Sequence, residues 1–156
     1  MPLSIESSAF KNGEPIPSKH SGEGENLSPP LSWSGLREGT VELALVCDDP
    51  DAPMAEPWVH WIAYNIPASL SGLPEGVPGG AKPSQPAGMI QGPNGMGREQ
   101  YFGPMPPPGH GRHRYFFKLY ALDAPIAGSG LDKTALLAAV QGHVLAEAEL
   151  IGTYER

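Results

Sequence analysis

The apolar run VELALV is followed at once by CDDPDAP, residues 47–53. Carboxylates are costly to desolvate unless something pairs with them. Asp48, Asp49 and Asp51, at the end of what reads as a core strand, therefore call for partners. Imidazoles stand in two other apolar runs: His60 in WVHWIAYN (58–65) and His113 in HRYFFKLYAL (113–122). In a strand, residues two apart share a face, so Trp58 lies beside His60, and His113 beside Tyr115. If these strands are neighbours, two imidazoles, a phenol and an indole line one concavity with the aspartates at its rim. An aspartate that accepts from one ring nitrogen fixes the tautomer and favours the imidazolium. The other nitrogen then donates outward. Two such rings and a Tyr hydroxyl suit phosphate, sulfate or carboxylate.

Plainer readings exist for each signal. A strand His can be structural, and DDPDAP can be only a turn, since Asp and Pro are turn formers. The PMPPP tract can be a surface polyproline segment, and Trp58 and Trp61 can be core. Two other chemistries also use these residues. His60, His113 and Asp49 could form a two-His, one-carboxylate metal site, with His110 of HGRH as a further ligand. The same Asp, His and Tyr set could serve acid–base hydrolysis. Against both, the chain has one Cys, no His-x-x-x-His helix, no G-x-S-x-G elbow and no P-loop. GPNGMG (92–97) lacks the Gly-Lys-Ser/Thr ending of a phosphate loop.

The elements that must position these residues are mostly strands. In VELALVC (41–47), Val41, Leu43, Leu45 and Cys47 share one face, and Ala44 and Val46 make the other apolar, as in a central strand. In 58–65, strict alternation puts Trp58, His60, Ile62 and Tyr64 on one side and Val59, Trp61 and Ala63 on the other. In 113–122, His113, Tyr115, Phe117 and Leu119 oppose Arg114, Phe116, Lys118 and Tyr120. Residues 1–40 are turn-rich, with LSPPLSW extended because residues before proline avoid the helical region. Residues 66–112 form a long Pro- and Gly-dense excursion, of a length that is usually functional or pinned by the core. One helix is expected at 132–142, capped by Asp132 and ended by Gly142. The last stretch, HVLAEAELIGTYER, alternates like a strand but has a helical composition, and periodicity leaves it open.

With 156 residues the chain suits one domain, residues 1–156. It holds 20 Gly and 19 Pro, a quarter of its residues, clustered between apolar runs, which indicates a loop-rich β domain. The net charge of −7 and the lack of a basic stripe disfavour nucleic acid and anionic membrane surfaces as partners. A single cysteine excludes an intramolecular disulfide and reads as a buried thiol. With no apolar run of spanning length and no signal-like N-terminus, the expectation is a soluble, cytoplasmic protein without a cofactor.

DPDAP (49–53), WVHW (58–61) and YFGPMPPPGHGRHRY (101–115), in that order, resemble the phosphatidylethanolamine-binding protein family. The bacterial and archaeal Raf-kinase-inhibitor-like branch is the most similar, and GHVLAEAELIGTYER also resembles it. The resemblance implies a large central antiparallel sheet packed on a smaller second sheet, with few helices. It implies a strand after the helix, and a small anion pocket built from Asp49, Ala52, Pro53, Trp58, His60, Pro106, His113 and Tyr115. It further implies a cis Glu56–Pro57 bond aiming Trp58 and His60, a homodimer, and a non-catalytic binding function, with a kinase or protease among the partners such proteins can modulate. Met105 departs from the Gly or Cys usual in that family and narrows the mouth.

Overall fold

The computed structural model describes residues 2–156. Among these residues nine strands and one α-helix follow in order, with a short 3-10 turn at Ser18–His20: β1 (Ser4–Glu6), β2 (Glu14–Pro15), β3 (Leu31–Ser34), β4 (Glu42–Asp49), β5 (Trp58–Pro67), β6 (Gly72–Leu73), β7 (Ile90–Gly92), β8 (His113–Leu122), α1 (Lys133–Val140) and β9 (Val144–Tyr154). A six-stranded sheet has the order β2-β9-β8-β4-β5-β7, and a three-stranded sheet the order β1-β3-β6. Pairing is antiparallel throughout except for β2, which runs parallel to the end of β9. The molecule is thus mainly β, two sheets of unequal size with a single α-helix. No helix among the described residues is long and apolar enough to cross a membrane.

β4 is central, flanked by β5 and β8, and all eight of its residues are buried. That burial on both faces is why its sequence is a continuous apolar run and not an alternation. Leu43, Leu45 and Cys47 face the smaller sheet and pack with Trp33, Leu31, Phe117 and Leu119. Ala44 and Val46 face the other way, toward Ile126, Leu136 and Val140, where α1 covers the sheet. Val41 precedes the strand and is exposed, so it belongs to neither face.

β8 keeps strict alternation, with His113, Tyr115, Phe117 and Leu119 buried on one side. β5 does not. Cys47 pairs with Trp61 and Asp48 with Val59, so His60 is one residue too many for the ladder. A second irregularity lies opposite Ala44, where Leu43 pairs with Ile66 and Leu45 with Ala63. There Asn65 takes a positive φ of 52°, and its Nδ2 donates to Glu42 Oε2 and the Ile126 carbonyl. Each is a β-bulge, an extra residue that turns the following side chain back onto the same face. Trp61 and Ala63 therefore join the core under the small sheet, while Ile62 and Tyr64 pack toward α1. This corrects the alternation expected for β5, in which Ile62 and Tyr64 would share the face of His60.

The Glu56–Pro57 bond is trans, contrary to the expectation; the cis bond among the described residues is Gln85–Pro86. The chain reversal that a cis bond would have made is spread over a turn and bends from residue 50 to 56, and Trp58 enters β5 already extended. A trans X-Pro bond is the more stable form, by about 0.5–1 kcal/mol, when the loop is long enough to turn without it.

The long excursion 66–112 is held in part by one buried side chain. Gln91 is fully buried; its Oε1 accepts from Trp61 Nε1 at 2.7 Å, and its Nε2 donates to the carbonyls of Pro78 and Gly80. A buried amide bonded through both its oxygen and its nitrogen ties the 78–80 loop to β5. The C-terminal stretch is a strand, β9, paired along β8. α1 begins as expected, with Asp132 accepting from the Ala135 amide at 2.9 Å. Asp132→Ala is expected to cost about 1 kcal/mol, read as a lowered midpoint in urea with unchanged slope; no shift would mean that packing of Leu136 and Val140 alone sets the helix.

Candidate functional site

Where β4, β5 and β8 end together, a cavity of about 240 Å³ opens between them and the loops 50–57 and 101–112. Asp49, Ala52, Pro53, Trp58, His60, Pro106, His113 and Tyr115 all line it. Four further residues complete it: Met54, Phe102, Met105 and Pro107. The sequence reading placed Met105 at the mouth. It missed the other three, though Met54 directly follows DPDAP, and Phe102 and Pro107 lie inside the proline-rich segment. Met54 and Met105 are both exposed and flank the opening with flexible apolar side chains. The cavity is below the roughly 300–1,000 Å³ of sites that enclose drug-sized ligands, a size for a headgroup and a short substituent.

The three aspartates each have a cation or an imidazole, which answers the cost of placing them at a strand end. Asp49, on the pocket face of β4, accepts from His113 Nδ1 at 2.7 Å through Oδ2, and from the Asp51 amide at 2.8 Å through Oδ1. Both Asp49 and His113 are buried. Asp51 holds the Arg114 guanidinium by two bonds of 2.9 Å and accepts the Arg114 amide as well. That contact holds the Asp51 carboxyl below the usual carboxylate range. Asp48 is not at this rim. As the neighbour of Asp49 on a strand it points to the opposite face, where Lys133 meets it at 2.6 Å and Lys118 at 3.5 Å.

The two imidazoles differ. His113 has the aspartate partner that was expected, and its Nε2 meets His110 Nδ1 at 2.6 Å. His60 has no carboxylate partner. Its Nδ1 donates to the Phe102 carbonyl at 2.6 Å. Burial pushes its pKa down to about 4, against the opposing pull of the Phe102 carbonyl and of Asp49 and Asp48. The expectation that both rings are held as imidazolium therefore fails at His60. The bulge withdraws it from the ladder and buries it against the ring edges of Trp58 and Tyr115, with centroids 4.6 and 5.0 Å away. Neutral His60 donates with Nδ1 and accepts with Nε2. Burial first, and Asp49 next, raise the Tyr115 phenol, which stays protonated and can donate.

The lining contains no Ser, Thr, Cys or Lys to act as a nucleophile. Cys47 lies nearby but is buried, and burial followed by the charges of Asp48 and Asp49 pushes its thiol well up, away from the reactive thiolate. For the metal reading, both ring nitrogens of His113 and one of His60 are already committed. Among the described residues no group of three or more His, Cys, Asp and Glu is arranged to hold a metal ion.

The sequence profile of the family described as phosphatidylethanolamine-binding protein matches residues 6–155. A UPF0098 protein of Methanothermobacter thermautotrophicus is 47% identical over 155 residues, covering 99% of both chains. Among solved structures, a phosphatidylethanolamine-binding protein homologue from Chlamydia trachomatis, CT736, superposes with a TM-score of 0.89 at 39% identity, over 99% of this chain and 98% of that one. E. coli YbcL, described as a member of the mammalian family of the same name, gives a TM-score of 0.91 at 33% identity, over 100% and 99% of the two chains.

Proposed function

The chain belongs to the phosphatidylethanolamine-binding protein family, and from that premise we propose that the pocket at the ends of β4, β5 and β8 binds a small phosphoryl-type anion without transforming it. The observation that carries this reading is the buried Asp49–His113 pair at 2.7 Å. A carboxylate on Nδ1 fixes the ring and turns Nε2 toward the ligand side as a donor once the imidazole is protonated. Tyr115 supplies a second donor, and Trp58, Pro53 and Pro106 supply apolar walls. Any kinase or protease partner would sense occupancy through the exposed loops around the mouth.

Calorimetry with phenyl phosphate tests this. Loss of one hydrogen bond to a charged group costs about 1.5–3 kcal/mol, roughly ten- to a hundredfold in affinity. His113→Gln and Tyr115→Phe are each expected to weaken binding by that order. Equal binding by wild type and both variants would show that the pocket is not the anion site. Release of inorganic phosphate from phenyl phosphate, abolished in His113→Gln, would favour the hydrolytic reading of the same residues.

His110 holds the nitrogen of His113 that the anion would take. His110→Ala is expected to tighten phenyl phosphate binding by roughly two- to tenfold, the worth of one ordinary hydrogen bond. Weaker binding in this variant would make His110 a ligand contact in its own right.

A further inference from the structure

Two features of the pocket constrain the ligand beyond its being an anion. One is the tautomer of His60. Its Nδ1 must carry hydrogen, because the atom 2.6 Å away is a carbonyl oxygen, which can only accept. The remaining polar atom of the ring, Nε2, has no partner among the described residues and is not sealed from solvent, on a residue that lines the cavity. It presents a lone pair to whatever binds. The groups that face the ring are Trp58 on its own strand, Asp49 and Asp48 on β4, Tyr115 on β8, and the Phe102 and Gly103 carbonyls from the 101–112 loop. The carbonyls and the aspartates favour the protonated ring, and burial outweighs them, so the ring stays neutral.

The other is charge. No Lys or Arg lines the cavity. Arg114 is committed to Asp51, and Arg156 donates its Nε to the Pro106 carbonyl from outside. The nearest fixed charge is Asp49, which is negative. A phosphoryl dianion would meet at most one positive group, His113, and would press an oxygen lone pair against that of His60. An anion desolvated without matching cations or donors is unfavourable.

We propose that the site takes its ligand as a phosphoryl group that still carries one proton, a phosphomonoester or phosphonate monoanion whose P–OH donates to His60 Nε2 while its other oxygens accept from Tyr115 and His113. This rests on the anion-binding reading above and narrows it. A phosphodiester, such as an intact phospholipid headgroup, and a sulfate ester are both monoanions of suitable size, but neither has a proton to give His60. The pocket therefore selects phosphomonoesters over both, and binding near neutral pH draws a proton from solution onto the ligand.

The test is calorimetry on wild-type protein with phenyl phosphate, methyl phenyl phosphate and phenyl sulfate at pH 5.5 and 7.5, each in two buffers of different ionisation enthalpy. The second ionisation of a phosphomonoester lies near ~6. On that basis phenyl phosphate affinity, taken relative to phenyl sulfate, should fall roughly twenty- to thirtyfold between the two pH values, with about one more proton taken up per ligand at pH 7.5 than with sulfate. Phenyl sulfate cannot be protonated in this range, so its profile isolates any titration of the protein's own groups, and the ratio of the two profiles is what is read. Phenyl sulfate and the diester should bind at least tenfold more weakly than phenyl phosphate at pH 5.5. Equal affinity for all three at pH 5.5, or the same proton uptake with sulfate as with phosphate, would overturn the proposal and leave the anion-binding reading intact. Absence of binding by all three at millimolar concentration would overturn both.

Discussion

Asp49→Asn is expected to weaken phosphoryl binding by roughly tenfold or more, although it removes a negative charge from beside an anion site. Coulomb attraction alone predicts the opposite sign. The carboxylate accepts twice, from His113 Nδ1 and from the Asp51 amide. A carboxamide has one oxygen and one NH2 group, so whichever way it is turned, one of these donors faces another donor. Either His113 changes tautomer and loses its aim, or the 49–51 turn loosens and Arg114 loses the amide contact that Asp51 makes. A buried donor left unpaired costs about 1–3 kcal/mol, so a lower unfolding midpoint should accompany the weaker binding. Tighter phenyl phosphate binding by Asp49→Asn would show that Asp49 acts only by repulsion.

Gly103→Ala is expected to be the most destabilising single-methyl change near the site. A methyl at Gly103 would overlap the carbonyl oxygen of His20 and lie 2.8 Å from the Ser21 Cα. Both obstacles are backbone, so no side-chain rotation relieves them. The same carbonyl is bound by the Tyr101 hydroxyl at 2.7 Å, and the Gly103 amide is bound to Asn26 Oδ1 at 2.7 Å. The loops at 20–26 and 101–103 are thus joined on both sides of the glycine and cannot separate without losing a bond. Overpacking typically costs about 1–3 kcal/mol, and here the upper end or more is expected. Phe102, whose carbonyl sets the His60 tautomer, would move with the loop. Urea unfolding should show the loss in stability, and phenyl phosphate binding at low temperature should show its effect on the site. A change below about 0.5 kcal/mol would mean that the two loops yield easily and do not fix Phe102.

Much of this site was readable from residue types. The continuous apolar run of β4 marked a central strand, and period two in β8 put His113 and Tyr115 on one face, as found. The acids at the end of β4 and just beyond it needed partners, and each has them. The choice of face for Asp48 was also implicit, since adjacent strand residues diverge, but its partner Lys133 comes from α1, a contact across 85 residues that no local pattern encodes. The His60 tautomer was not readable for the same reason. It depends on a carbonyl 42 residues away, and a backbone atom leaves no mark in the sequence. The trans bond before Pro57 reflects how a seven-residue loop distributes its turn, which the Glu-Pro dipeptide does not state.

The irregularity of β5 has a simple form when the two extra residues are set aside. Without His60 and Asn65 the strand would read WVWIAYIP and alternate without fault, with Trp58, Trp61, Ala63 and Ile66 on one side and Val59, Ile62 and Tyr64 on the other. The polar residues of β5 are therefore insertions in a regular apolar sentence. One supplies a wall of the pocket, and the other clips the strand to Glu42 and Ile126. Neither changes the side on which any other residue falls. The two extra residues sit outside the alternating pattern, so the pocket wall and the core do not compete for the same positions. Deletion of His60 would close the ladder between Trp61 and Val59 and silence the pocket while leaving the apolar grammar of the sheet unaltered.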